Sequence, residues 1–144
     1  MSTNDDSFDI WRVASKQSAA TAPHFFNFKV GKDSYSIRTD EIVYMKSSNR
    51  TVSLCAWNNS EQALCVEYRF YSVMEDVKNR LPKSEFVHCE RSHIVNLNFV
   101  RMMNRNCFVL RDKDNTAIPV SRRFHKATKK AYFKFLEKQK PTKL

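Results

Sequence analysis

Glycine is nearly absent, with Gly31 the only one in 144 residues. Phosphate-cradling loops and dinucleotide fingerprints need several glycines where backbone closes on phosphate, so nucleotide-dependent catalysis is disfavoured. The four cysteines, Cys55, Cys65, Cys89 and Cys107, form no CxxC pair and follow no zinc spacing. Cys55 and Cys65 could face each other across a hairpin, but a reducing cytosol keeps them as thiols. His88, Cys89 and His93 stand close together, yet strand alternation turns His88 and Cys89 to opposite faces, which argues against a metal site. No cofactor is expected. No apolar run approaches the roughly 18 residues of a membrane span. The opening MSTNDDSFDIW has early acids and no apolar core of a secretory signal, so a cytoplasmic protein is expected. No Ser/His/Asp or Cys/His arrangement comes with a supporting motif, and the His88–His93 pair lacks a carboxylate partner, so no enzyme is expected.

What the chain has is one-sided charge. The net charge is +10, yet residues 1–100 hold 12 basic and 12 acidic residues, whereas residues 101–144 hold 13 and 3. A basic end on a neutral body suits a polyanion, because each phosphate contact releases condensed counterions. A solvated basic tail, or a face drawn to anionic lipid, would share this signature.

The length suits one domain with a short appendage. Residues 1–23 read as a polar, flexible leader with a small apolar cluster of Phe8, Ile10, Trp11 and Val13, fitting either a segment that packs back on the domain or a docking motif. From Phe26 the pattern alternates: Phe26, Phe28 and Val30, a turn at Gly31, then Tyr35 and Ile37. Strands follow at 42–45, 52–56 and 63–66, with Asn49-Arg50 as a polar loop. Ser72-Val73-Met74-Glu75 fits a capping box, and Val73, Val77 and Leu81 form a helical stripe that Pro82 stops. Strands resume at 86–88, 94–97, 100–103 and 107–110, and Pro119 marks residues 118–120 as an edge strand. The last helix carries Phe124, Thr128, Ala131 and Phe135 on one face, with Tyr132 beside them and Lys126, Lys129, Lys130 and Lys134 on another. A domain over 24–137 and a basic tail over 138–144 complete the expected organisation. The class is α+β, predominantly β.

Three stretches make this chain resemble the LytTR DNA-binding domain: Asp40–Met45 followed by Ser47–Arg50, Phe86–Leu97, and Ile118–Arg123. The resemblance spans roughly residues 25–136. It implies an elongated stack of small, mostly antiparallel β-sheets with a short central helix and a C-terminal helix. It also implies a transcription regulator that places loops and strand ends in successive major grooves of double-stranded DNA. Carried over by position, Ser48, Asn49 and Arg50 form one DNA-facing element, Glu90, Arg91 and Ser92 a second, and Ser121, Arg122 and Arg123 a third, with Lys126 following. Arginine suits guanine O6/N7, so Arg91 and Arg122 are the candidates for base readout. Ser48, Ser92, Ser121, Arg123 and Lys126 suit phosphates. Asn96 reads as a satisfied buried amide. This chain departs from the family's common pattern at His88, Glu90 and Lys46. Glu90 either accepts from a cytosine or orients Arg91 through a salt bridge.

The family's usual receiver domain does not fit in the 22 residues ahead of the domain, so no phosphoryl acceptance is expected. The resemblance allows a second copy on tandem half-sites, an inhibitory membrane protein partner and a nucleoid location. A basic β-rich RNA-binding protein is the alternative, and exposed aromatics on a sheet would favour it.

Overall fold

A computed structural model of the protein describes residues 24–60 and 63–139. The expected leader, and all of the expected tail beyond its first two residues, lie outside the described residues. Strands β1 (Phe25–Val30) and β2 (Asp33–Arg38) pair as a hairpin that closes at Gly31, where φ is +63°. Glycine takes that left-handed turn without a Cβ penalty. A five-stranded antiparallel sheet follows, built from β3 (Ile42–Ser48), β4 (Thr51–Asn58), β5 (Ala63–Tyr71), β6 (Phe86–Glu90) and β7 (His93–Asn96) in the order β5-β4-β3-β7-β6. Strands β8 (Val100–Met103), β9 (Cys107–Leu110) and β10 (Ala117–Pro119) form a third sheet with β9 central, so Pro119 does lie on an edge. Two α-helices, α1 (Met74–Asn79) and α2 (Arg122–Gln139), and two single-turn 3-10 helices, Thr39–Glu41 and Leu97–Phe99, complete the described elements. The architecture is α+β and predominantly antiparallel β, as expected.

The five-stranded sheet is the middle layer, buried on both faces. Met45, Val52, Leu54 and Ile94 join Phe26 and Phe28 of the hairpin and Val77 of α1 in one core. Val43, Cys89 and Val95 join Phe108 and Ile118 of the third sheet and Tyr132 and Phe135 of α2 in the other. A strand that must fill two cores reads as a continuous apolar run, which explains Ile42-Val43-Tyr44-Met45. Asn96 is fully buried and ties the layers: its Nδ2 donates to Ile42 O at 2.8 Å, and its Oδ1 accepts from Asn98 N at 2.9 Å. The satisfied buried amide is therefore in place.

Three local expectations fail. Ser72 does not cap α1; Val73 holds the N-cap position with no side-chain hydrogen bond, and the Ser72 hydroxyl lies 3.3 Å from Asp76 Oδ2. The buried stripe runs through Met74, Val77 and Leu81, while Val73 is 54% exposed. An i, i+3, i+7 stripe faces a core as well as i, i+4, i+8 does, and Val73, still in extended backbone, points outward. Val30 is likewise exposed, because its pairing with Asp33 puts it beside the turn rather than over the core.

Candidate nucleic-acid interface

Antiparallel pairing decides which loops share an end of the middle sheet. Strand β3 ends at Ser48 and β4 begins at Thr51; β6 ends at Glu90 and β7 begins at His93; β5 ends at Tyr71. All of these termini fall at one end of the sheet, because Ser48 pairs with Thr51, Thr51 with Tyr71, and Glu90 with His93. The first two candidate elements therefore sit side by side. The third joins them through a backbone bond, Ser121 N to Cys89 O at 3.1 Å, while Ser47 N donates to Ser92 O at 2.9 Å. The Arg91-Ser92 turn is the hub of all three.

Each element has its own local cause. Asn49 and Arg50 form a two-residue hairpin loop with φ of 49° and 65°, the geometry of a type I′ turn. Asparagine tolerates that region and arginine does not, so Arg50 holds a strained backbone at an exposed tip. Arg50 O also accepts from Ser72 N at 3.0 Å, which pins the tip to the end of β5.

The Arg91-Ser92 turn is clamped from within. Glu90 Oε1 accepts from Ser92 N at 2.9 Å and lies 2.7 Å from His93 Nδ1. Desolvation pushes the Glu90 carboxyl upward, but the bonds from His93 and Ser92, aided by the charges of His93 and Arg91, outweigh it and hold the group below its ordinary value. Thus the carboxylate partner that sequence reading missed for His93 is Glu90, and no ion pair joins Glu90 to Arg91 among the described residues. Pairing slips at Cys89, where β6 bulges. Cys89 is fully buried, and burial pushes its thiol up to about 12. His88 sends Nε2 toward Arg91 O, 3.0 Å away, and rests its ring on Phe124 of α2 with centroids 4.9 Å apart. His88 and Cys89 thus serve different surroundings, one bridging the Arg91 turn to α2 and the other filling the core.

Helix α2 starts with basic residues at its unfavourable end. Arg122, Arg123 and Lys126 lie in its first two turns and are exposed, and no acid lies in the first turn. Cations oppose the positive end of the macrodipole at roughly 0.3–1 kcal/mol each, whereas a phosphate placed there is favoured. Arg122, Lys126 and Lys130 follow at intervals of four, so the first half of the helix carries a basic row. Ser121 precedes the helix, and its covered hydroxyl makes no hydrogen bond among the described residues. Arg50, Arg91, Arg122, Arg123 and Lys126 have no ion-pair partner among the described residues. The result is a row of free cations with one carboxylate, Glu90, already engaged.

Sequence reasoning passed over Tyr71 and noted Lys46 only as a departure from the family's pattern. Tyr71 is 88% exposed at the end of β5, and exposed Lys46 pairs across from His93. Tyr71 gave no signal, since an aromatic in an alternating run shows its face only once the register is known.

Comparison with known proteins completes the case. Residues 32–132 match the family model of the LytTr DNA-binding domain. The chain is 25% identical over 121 residues to the sensory transduction protein LytT of Bacillus subtilis (strain 168), covering 82% of this chain and 47% of that protein. It therefore spans about half the length of that curated relative. Its fold is similar to a solved LytTr DNA-binding domain from Bacillus cereus, with a TM-score of 0.59 at 18% identity over 75% of this chain and 95% of that one. The chain belongs to the LytTR DNA-binding domain family, a non-enzymatic module of transcription regulation.

Proposed function

We propose that the protein is a sequence-specific regulator that grips double-stranded DNA with the three loops at one end of its middle sheet, addressing successive major grooves. The observation that carries this reading is the convergence of those loops: backbone bonds from Ser47 to Ser92 and from Ser121 to Cys89 hold them in one row. From β5 to β6 the row covers four strand spacings, about 19 Å. Helix α2, packed against β6, adds about 10 Å. The total of about 30 Å is close to the roughly 34 Å between successive major grooves.

Within that row Arg91 and Arg122 read base edges, each offering two parallel donors that match guanine O6 and N7. Ser48, Asn49, Arg50, Ser92, Arg123 and Lys126 position the backbone. Glu90 shapes the Arg91 turn, since its acceptor oxygen is taken by Ser92 and His93. Ser121 acts through its backbone, which ties α2 to the bulge at Cys89. A second copy on tandem half-sites, an inhibitory membrane partner, and a cytoplasmic, nucleoid-associated location fit this reading. Among the described residues no helix is long and apolar enough to cross a membrane. Titrating a selected duplex at several salt concentrations tests the reading. A steep fall in affinity with salt, and weaker binding of single-stranded RNA, are expected. A slope near zero, or equal affinity for that RNA, contradicts it.

A further inference from the structure

At the opposite end of the molecule lies a second basic site. Lys83 and Ser84 precede β6, Leu97 follows β7, and Ala131, Lys134, Phe135 and Lys138 come from α2; together they line a cavity of about 260 Å³. Its rim is three ammonium groups with no ion-pair partner among the described residues, and its floor, Leu97 and Phe135, is apolar. The volume falls below that of an ordinary small-molecule pocket, which starts near 300 Å³, and suits an anchoring side chain instead.

This site is separate from the DNA row. Lys134 stands about 18 Å along α2 from Arg122. Residues four apart also drift about 40° per step, so Lys138 is turned roughly 160° from Arg122.

The chain itself carries the complement. Residues 5–11, Asp5-Asp6-Ser7-Phe8-Asp9-Ile10-Trp11, hold three acids, no base and two aromatic rings. The described structure begins at His24 on the same side as the cavity. His24 O accepts from Thr39 N at 2.9 Å, Thr39 O accepts from Asn96 Nδ2 at 3.4 Å, and Asn96 adjoins Leu97 of the cavity floor. The 13 residues from Trp11 to His24 span up to about 45 Å when extended, ample to reach it.

We infer that residues 5–11 dock in this cavity, with Trp11 on the Leu97–Phe135 floor and Asp5, Asp6 and Asp9 facing Lys83, Lys134 and Lys138. The docked segment braces the far end of α2 and leaves the DNA row open.

Fluorescence of the full chain tests this. Trp57→Phe leaves Trp11 as the single tryptophan. Docking predicts a blue-shifted emission and acrylamide quenching several-fold weaker than in the urea-unfolded chain. Both signatures should be lost in Lys83→Gln/Lys134→Gln/Lys138→Gln. The reciprocal Asp5→Asn/Asp6→Asn/Asp9→Asn, which alters no described residue, should lose them as well and so covers the case in which the lysine variant unfolds. Free-tryptophan quenching in the starting chain overturns the inference. So does a buried Trp11 indifferent to the aspartate changes, which would place it elsewhere. Burial that grows with protein concentration also overturns it, since the occupant would then be a second copy.

Discussion

Arg50→Gly should make the protein more stable and a poorer DNA binder. Arg50 sits at φ 65° in the second position of a type I′ loop. A side chain there costs roughly 1–2 kcal/mol from the clash of Cβ with the following carbonyl. Glycine removes that clash but loses about 0.5–1 kcal/mol more backbone entropy on folding. The difference is a net gain of about 0.5–1 kcal/mol, which raises Tm by about 2–5 °C in a domain of this size. The same change deletes an exposed guanidinium, without an ion-pair partner among the described residues, from the tip beside Ser48 and Thr51. Loss of one charged contact should weaken duplex binding by about 1–3 kcal/mol. Arg50→Ala separates the two effects, because it drops the contact and keeps the strain: affinity falls without the gain in Tm. Thermal melts and fluorescence anisotropy on a labelled duplex measure both quantities. A lower Tm for Arg50→Gly refutes the strain argument, and an unchanged affinity in both variants refutes the placement of this tip on DNA.

Further outcomes follow from buried and clamped groups. Asn96→Leu should cost about 2–4 kcal/mol, because the fully buried Ile42 O and Asn98 N, whose bond is part-buried, both lose their partner. Denaturant melts read that cost, while the operator-to-random affinity ratio of the folded fraction stays unchanged. The Glu90 carboxyl is held below its ordinary value, so its contribution to stability is present above the unfolded value of about 4.3 and is lost as pH falls through the lower folded value. Melts of wild type and Glu90→Gln should therefore differ at pH 7, draw together once pH falls below the unfolded value of about 4.3, and converge only beneath the lower folded value. A difference that persists unchanged in acid would count against the carboxylate clamp.

Period-two alternation made most strands legible, and the pattern 26, 28 then 35, 37 gave a hairpin around Gly31 that the structure contains. Pro119 on an edge and Asn96 in the core followed from what each side chain can and cannot bond. Other features depended on partners far along the chain. Nothing local told Met74 from Val73 as the first buried residue of α1, since either gives a helical stripe and the core that α1 shares with the hairpin and the middle sheet chooses. The bulge at Cys89 was hidden for the same reason: it exists because β6 must pair with β7 while feeding Cys89 to the second core. Asn49-Arg50 lacked the glycine that normally announces a type I′ loop, so its tight geometry read as ordinary polar chain. The three candidate elements came from resemblance, and their meeting at one sheet end came from register. Glu90 illustrates the boundary: its position was legible, but its partners, Ser92 N and His93, required the folded turn.

The most direct test of the account compares Arg91→Ala and Arg122→Ala with Lys126→Ala on a selected operator and on random duplex. A base-reading arginine matters where an aligned O6/N7 pair exists, so the first two should lose about 1–3 kcal/mol on the operator and much less on random DNA. Lys126→Ala should weaken both duplexes alike and lower the salt slope by about one. Each variant is compared after its melting transition is shown to match wild type. If both arginine variants stay folded and keep the wild-type operator-to-random ratio, readout by the Arg91 turn and the start of α2 is contradicted.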